Sequence, residues 1–255
     1  ALMVQQYFGV EMETTQLITD ATVMFHFLFS DLDADPKITA AAMAAKDRVN
    51  AAIDASAASA RPGTLLARAV EAGRAGATAF DADGIRANII GILIGAIPTL
   101  SKASCLAVEE LLRRPQALAG ARTAAQGNDE ARVADHLWEA LRFNPVNPIL
   151  YRRAAQPARI GDTEVAANTM VLAANLSAMF DEAVVETPTR FIAGRPWGIY
   201  ALWGEGLHLC WGDHINKTIL PAMLTPLLAK PGLRQLAPPD TGGTPFPRHY
   251  RLAWS

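Results

Sequence analysis

The strongest constraint on the fold is the helix-forming sequence, rich in alanine and leucine, that fills much of the first half of the chain. Apolar residues in this part recur at helical spacing, and turn-forming residues separate the stretches. The pattern predicts three helices before residue 75, at Thr15–Phe29, Thr39–Ala58 and Thr64–Ala72. A chain that begins in this way is expected to be mainly α-helical.

A fourth helix should be longer than the others. Asp81 can cap a helix that runs from Asp83 to about Leu112. Pro98 lies inside it and predicts a bend, because proline lacks the backbone donor that a helix needs, and Pro115 predicts its end. The uncharged stretch at residues 87–101 is too short to span a bilayer, so no membrane span is expected.

The second half of the chain adds a small amount of β-structure. Asp129 should open another helix, and a hairpin is expected where a Gly-Asp turn separates two short apolar runs. The predicted segments are a hairpin over Ala158–Val165, strands at Thr169–Ala173 and Tyr250–Trp254, and a last helix from about Cys210 toward Leu228, kinked or ended early by Pro221 and Pro226. We therefore predict a mainly α fold with small β-sheets, in a single domain over residues 1–255.

Composition excludes several classes of protein. Apolar residues make up 51% of the chain, which is enough to bury a sizeable core, and the net charge of −2 argues against nucleic-acid binding. The two cysteines, Cys105 and Cys210, are too few for a disulfide framework. No signal peptide is recognisable, so a soluble cytoplasmic protein is expected.

The chemistry of the chain is concentrated in the segment Trp203-Gly-Glu-Gly-Leu-His-Leu-Cys-Trp-Gly212. Its glycines allow a tight backbone, and the helix predicted to follow Cys210 would stabilise a thiolate there. A thiolate is the soft, electron-donating ligand of heme iron that promotes oxygen–oxygen bond cleavage. A buried structural cysteine is the alternative interpretation. Zinc binding by His208, Cys210 and His214 is a weaker one, because the spacing fits no common zinc pattern.

A second motif is Glu139-Ala-Leu-Arg142, whose two charged side chains lie at i and i+3 on one helix face and can pair. Such pairs are usually solvated and contribute little to stability. Here the neighbouring residues are apolar and the segment Asn144-Pro-Val-Asn-Pro148 follows, which favours a buried pair. A third motif is Pro188-Thr-Arg-Phe191.

The segment that contains Cys210 resembles the heme-binding loop of cytochrome P450s, Phe-x-x-Gly-x-His/Arg-x-Cys-x-Gly. Gly206, His208, Cys210 and Gly212 match this pattern, and Trp203 stands where the family usually has Phe. The resemblance implies a heme b cofactor, with Cys210 as the thiolate ligand of the iron. It also implies that His208 contacts a heme propionate.

The other two motifs resemble the Glu-x-x-Arg helix and the Pro-x-Arg-Phe segment of the same family. The resemblance implies that Glu139, Arg142 and Arg190 form one buried network with a structural role. Arg152 resembles the arginine that pairs with a heme propionate, although the adjacent Arg153 is an alternative. The resemblance extends from about residue 83 to the end of the chain, with weaker similarity before it.

The long helix carries both a match to the family and a departure from it. Gly91 and Gly95 are one turn apart and leave a shallow face for a planar ring, although close helix packing is an alternative role. In the family, the corresponding stretch ends in an acid followed by threonine, a pair that helps to deliver protons during oxygen activation. Thr99 matches as the catalytic alcohol, whereas Pro98 occupies the place of the acid. A peroxide needs less of this proton relay than dioxygen does.

These features predict a cytochrome P450-type oxidoreductase that oxidises or rearranges an apolar substrate, such as a fatty acid or a lipid hydroperoxide, with peroxide as the favoured oxidant. The chain looks like the P450-like proteins associated with fatty-acid dioxygenases and peroxygenases. One alternative is a monooxygenase supplied with electrons by a ferredoxin or a flavoprotein reductase. Another is a truncated heme-binding protein without turnover.

Only about eighty residues precede the glycine-containing helix, fewer than in the family. A P450-like fold without its N-terminal helices is therefore expected. Either a fragment of a longer chain or a truncated protein would explain this. A missing N-terminal segment or an oligomer partner would then cover the heme.

Overall fold

The computed structural model describes residues 4–255. The helices are α1 Thr14–Phe29, α2 Pro36–Ala58, α3 Leu65–Arg74, α4 Ala82–Leu112, α5 Pro115–Gln126, α6 Glu130–Phe143, α7 Asn175–Ala178 and α8 Asp213–Leu228, with shorter helical turns at Val4–Phe8, Thr78–Phe80, Trp197–Ile199 and Gly206–His208. The strands are β1 Leu150–Arg153, β2 Ala158–Ile160, β3 Thr163–Val165, β4 Met170–Ala173, β5 Arg234–Gln235 and β6 Leu252–Ala253. The prediction of a mainly helical chain with small β-sheets is confirmed.

Contacts between residues divide the chain into two compact units. The first unit contains the chain up to Ser101 together with Thr241–Pro247, and the second contains Lys102–Asp240 and Arg248–Ser255. The boundary falls inside α4, so this helix belongs to both.

The first unit is built around the apolar faces of α1, α2 and the first part of α4. Its core includes Leu17, Val49, Ile53 and Leu93, all fully buried. Side-chain caps fix where the helices start: Glu13 accepts hydrogen bonds at the start of α1, Asp35 at α2 and Thr64 at α3. The Asp81 carboxylate accepts a hydrogen bond from the Gly84 backbone at 2.8 Å, as predicted for the start of α4.

The helix α4 continues through Pro98 as a single element, and the bend expected at this proline stays a prediction. By length and composition it is the one helix within residues 4–255 that could cross a membrane, but a core helix of a soluble protein has the same features. Ile85, Ile89 and Leu93 of α4 lie in the core of the first unit, which explains part of its apolar character.

In the second unit, α5, α6 and α8 pack together, and the strands form three small antiparallel sheets. The predicted hairpin is formed by β2 and β3, whereas β4 pairs with β1, a strand that was not predicted. Pro115 begins α5 directly after Arg114, so the residue expected only to end a helix also starts one. The last helix begins at Asp213 and continues through both of its prolines to Leu228.

Candidate functional site

Cys210 lies in the second unit, between a single 3₁₀ turn and the start of α8. Its backbone N–H donates to the Trp203 carbonyl at 2.9 Å, and its own carbonyl accepts from the Asp213 N–H at 3.2 Å. Gly204 and Gly206 have φ angles of +72° and +70°, which side-chain-bearing residues rarely adopt. The glycine pattern therefore has a direct structural reason: it lets the chain fold back and present Cys210 at a helix start.

The surroundings of Cys210 are apolar and exposed. The thiol residue itself is exposed, and so are its neighbours Leu207, Leu209 and Trp211, of which Leu207 is fully accessible and Trp211 is 74% accessible. A soft sulfur donor flanked by uncovered apolar side chains suits an apolar, planar, iron-containing ligand such as heme. Within residues 4–255 no three His, Cys, Asp or Glu side chains come together as a metal site, so the structure gives no support for zinc.

The remaining loop positions differ in their surroundings. His208 is exposed in the 3₁₀ turn, and a side chain at Gly206 would meet nothing within 4 Å. At Gly212, by contrast, an added Cβ would lie 3.6 Å from the Cys210 sulfur and 3.4 Å from the Asn216 amide nitrogen. Gly212 thus leaves space beside the sulfur, while Gly206 leaves space on the outside of the loop.

Trp203 is part of an aromatic cluster that sequence analysis did not identify. Its ring stacks on Trp197 with centroids 5.1 Å apart and meets Trp138 of α6 edge-on at 5.3 Å. This packing anchors the beginning of the cysteine loop to α6. The cofactor-binding role of Trp203 stays a prediction. The structure adds a second role for this residue, which is to pack against Trp197 and Trp138.

The two arginines considered for a heme propionate are neighbours in β1 and therefore point to opposite faces of the β1–β4 hairpin. Arg152 donates to the carbonyl of Tyr151 at 2.8 Å, and Arg153 donates to the carbonyl of Asn168 at 2.7 Å. Both residues are exposed. Within residues 4–255, the hydrogen bond of Arg152 is a local one, whereas that of Arg153 joins its strand to the loop before β4. The Arg152 guanidinium is therefore the better placed of the two to donate to a ligand.

Glu139 and Arg142 are both fully buried and form a two-pronged ion pair, with N–O distances of 2.8 and 2.9 Å. The Arg142 guanidinium also donates to the carbonyls of Met179 and Pro188, at 2.9 and 2.8 Å. A buried ion pair is tolerated when its remaining hydrogen-bonding groups are satisfied. Here the pair also fixes two remote backbone segments against α6.

The third guanidinium of the network belongs to Arg195 and not to the predicted Arg190. The Arg195 side chain is 6% exposed and donates to Glu139 at 3.1 Å, whereas Arg190 is exposed and contributes its carbonyl oxygen. The Ile192 N–H also donates to Glu139 at 2.9 Å.

Burial and the neighbouring Glu139 carboxylate raise the pKa of the Tyr200 hydroxyl, which lies 3.4 Å from that carboxylate.

Three predicted residues lie in the first unit, on α4. An added Cβ at Gly91 or Gly95 would meet nothing within 4 Å, so neither glycine is required for close helix packing. The Thr99 hydroxyl donates to the carbonyl of Gly95 one turn earlier. This is the usual local bond of a helical threonine.

Comparison with curated proteins finds relatives among bacterial cytochrome P450s, while no family model matches. The chain is 34% identical over 151 residues to cytochrome P450 137 of Mycobacterium tuberculosis, a match that covers 56% of this chain and 32% of that protein. It is 29% identical over 154 residues to nocardicin C N-oxygenase of Nocardia uniformis subsp. tsuyamanensis, covering 59% and 37%. It thus spans about a third of the length of the curated relatives that it matches.

Solved structures with the same fold include P450BioI in complex with hexadec-9Z-enoic acid ligated acyl carrier protein, with a TM-score of 0.81 and 16% identity. That match covers 100% of this chain and 65% of P450BioI. CalO2 matches with a TM-score of 0.79 and 18% identity, covering 99% and 64%.

The predicted fold class and the predicted resemblance to cytochrome P450s are therefore confirmed. Two of these relatives are named as a cytochrome P450 and an N-oxygenase, names that agree with the predicted heme cofactor and oxidoreductase class.

Proposed function

We propose that this chain, a relative of cytochrome P450s in sequence and fold, is the heme-binding part of a heme-thiolate oxidoreductase with Cys210 as the iron ligand. The observation that carries the proposal is the exposed thiol at the start of α8, flanked by uncovered apolar side chains. Bound there, the heme would supply oxygen–oxygen bond cleavage assisted by its thiolate ligand.

The chain's own residues would hold this group in distinct ways. The start of α8 places a positive helix end near Cys210, which favours a negatively charged sulfur. His208 and Arg152 are the proposed propionate partners, because both are exposed and carry donors. Gly91 and Gly95 are the proposed surface for a planar ring, since neither is occupied by a helix contact.

We propose an apolar substrate, such as a fatty acid or a lipid hydroperoxide, and a peroxide as the favoured oxidant. A positioned acid–base group typically contributes about 10²–10⁴-fold to a rate. Pro98 removes the group that the resemblance places there, and Thr99 can pass on a proton but cannot supply one. A peroxide already carries reduced oxygen and loses less from this change. P450BioI, which shares the fold, was crystallised with a fatty acid linked to a carrier protein.

We propose that the chain forms a single heme-binding domain and acts in the cytoplasm. A preceding segment or an oligomer partner would cover the heme. The ferredoxin- or flavoprotein-dependent monooxygenase and the heme-binding protein without turnover are the two alternatives that the experiments below separate.

The central experiment is the spectrum of the reduced, carbon monoxide-bound protein reconstituted with heme. The unmodified chain should show the red-shifted band of thiolate ligation. Cys210→Ala should abolish that band, and the matched control Cys105→Ala should retain it. A Cys210→Ala variant that keeps the thiolate band would refute the proposal. Heme binding without turnover under any oxidant would leave the binding protein as the function.

The oxidant is tested by comparing initial rates on one fatty-acid substrate with a peroxide and with a surrogate ferredoxin system. Pro98→Asp should raise the reductase-dependent rate and leave the peroxide-dependent rate nearly unchanged. Pro98→Ala is the matched control, because it removes the proline without adding an acid. A native protein that turns over with the reductase and ignores every peroxide would be a conventional monooxygenase.

A further inference from the structure

The peptide groups around Cys210 are held from both sides. On one side the Cys210 N–H donates to the carbonyl of Trp203 at 2.9 Å, and on the other its carbonyl accepts from Asp213 at 3.2 Å. These two bonds fix the position of the cysteine only as well as Trp203 and Asp213 are themselves fixed.

Side chains join Trp203 to Asp213 through two further residues. The Trp203 ring stacks on Trp197 with an interplanar angle of 25°. The ammonium of Lys217 lies 4.0 Å from the centroid of Trp197 and 3.0 Å from the Asp213 carboxylate. The contacts therefore form a closed ring that runs from Cys210 through Trp203, Trp197, Lys217 and Asp213 back to Cys210. We call it the cysteine ring.

We propose that Lys217 is a positioning residue that closes the cysteine ring and so holds Cys210 in place for the heme iron, an inference that rests on the proposed function. Lys217 is the one member whose side chain contacts both halves of the ring, the tryptophan stack and the start of α8. Ammonium–tryptophan contacts at partly desolvated sites change equilibria by roughly 2- to 30-fold.

Lys217 also pairs with the nearly buried carboxylate of Asp213, a second interaction that is separate from its contact with Trp197. The Asp213 side chain is 9% exposed, and its Oδ1 atom is buried without a hydrogen-bond partner among residues 4–255. Its Oδ2 atom is bound by Lys217. A buried carboxylate with one unpaired oxygen is costly unless a cation lies beside it, and Lys217 supplies such a cation. The sequence shows only a lysine one turn after an aspartate, the usual pattern of a solvated pair.

Hydrogen exchange of the backbone amides of Cys210 and Asp213 tests the ring directly, with or without heme. Lys217→Met keeps an unbranched side chain, one atom shorter than that of lysine, and removes its charge, and we expect both amides to exchange about tenfold faster. Lys217→Arg can contact Trp197 and Asp213 and should remain within about twofold of the unmodified chain. Lys230→Met is the matched control, because Lys230 makes a lysine–tryptophan contact with Trp254, at 6.0 Å.

A second variant separates positioning from the cost of an unpaired buried charge. The double variant Lys217→Met with Asp213→Asn leaves no buried charge at position 213, so its melting temperature should recover while fast exchange at Cys210 persists. Slow exchange in the double variant would overturn the proposal, since it would assign the whole effect to the charge of Asp213. Unchanged exchange in Lys217→Met would overturn it as well.

The heme-loaded chain provides a readout that a merely structural residue would not change. The measured quantity is the rate at which the thiolate band of the reduced carbon monoxide complex disappears with time. This rate should be about tenfold higher in Lys217→Met than in the unmodified chain, and Lys217→Arg should match the unmodified chain. Equal rates in Lys217→Met and the unmodified chain would contradict a positioning role toward iron. If the unmodified chain shows no thiolate band, the proposed function fails, and the exchange data still decide whether the ring exists.

Discussion

The Glu139 network and the Cys210 loop lie in the same unit but differ in how completely the protein satisfies them. In the network, the Glu139 and Arg142 side chains are fully buried, and carboxylate, guanidinium and backbone groups all find partners within the chain. In the loop, Leu207 and Trp211 are largely exposed next to an exposed thiol. A region that is complete without a ligand serves the fold, whereas a region with uncovered apolar surface beside a reactive atom indicates where a ligand belongs.

This difference also separates two kinds of mutational effect. Changes in the network should lower the free energy of unfolding of the chain itself, because they leave buried charges unpaired. Changes in the loop should leave that free energy nearly constant and weaken ligand binding instead. The comparison fails if loop and network variants behave alike.

The largest effect is expected for Glu139→Ala. Removing one partner of a buried ion pair typically costs about 3–5 kcal/mol, and this carboxylate accepts from two guanidinium groups. Urea unfolding of the heme-free chain measures the loss. Glu130→Ala, an exposed glutamate in the first turn of the same helix, is the control and should cost no more than about 1 kcal/mol. Similar losses in both variants would remove the distinction between network and surface.

The next effect distinguishes the two candidate third arginines. Arg195→Met should lower the free energy of unfolding by about 2–4 kcal/mol, because its nearly buried guanidinium binds Glu139 and the carbonyls of Glu186 and Thr187. Arg190→Met should remain within about 0.5 kcal/mol, since its side chain is exposed and only its carbonyl takes part. A larger loss of stability in Arg190→Met than in Arg195→Met would support Arg190, the arginine predicted from the sequence motif, as the third member of the network.

For the loop, Leu207→Ser should change the free energy of unfolding of the heme-free chain by less than about 0.5 kcal/mol. Covering a fully exposed leucine with a ligand contributes about 1.5–3 kcal/mol, so heme affinity should fall roughly 10- to 160-fold. Heme titration followed by absorbance measures the affinity, with Leu236→Ser, another exposed leucine, as the control. An unchanged heme affinity would show that the ligand does not cover this side chain.

The two cysteines differ in the same way, because Cys105 is partly buried and Cys210 is exposed. Burial, and secondarily the charge of Glu109, raises the pKa of the Cys105 thiol from 9.0 to about 11. Between these values the unfolded chain loses a proton that the folded chain keeps. The contribution of Cys105 to stability is therefore complete below pH 9 and decreases as the pH rises toward 11. Cys105→Ala should flatten the alkaline part of the pH–stability curve. A curve that is identical in both proteins would contradict this.

Sequence alone was enough for most helices, because periodic apolar residues and capping side chains such as Asp81 and Asp129 are local features. It missed α5 because Pro115 was interpreted only as the end of a helix, although proline equally favours the first helical turn. It assigned Arg190 to the network because a short motif contains that residue, and it did not consider Arg195, which no motif contains. The tryptophan cluster joins residues about sixty positions apart, and no local pattern encodes such a contact.

The reach of the Glu139–Arg142 pair along the chain has a consequence for the order of folding. Its partners lie 37 positions away at Met179 and 56 positions away at Arg195, so closing the network requires long loops to be ordered first. We expect α6 to form early and the network late, after most of the barrier has been crossed. Weakening Arg195 should then accelerate unfolding much more than it slows folding. The network would thus stabilise the native state kinetically, by slowing its unfolding.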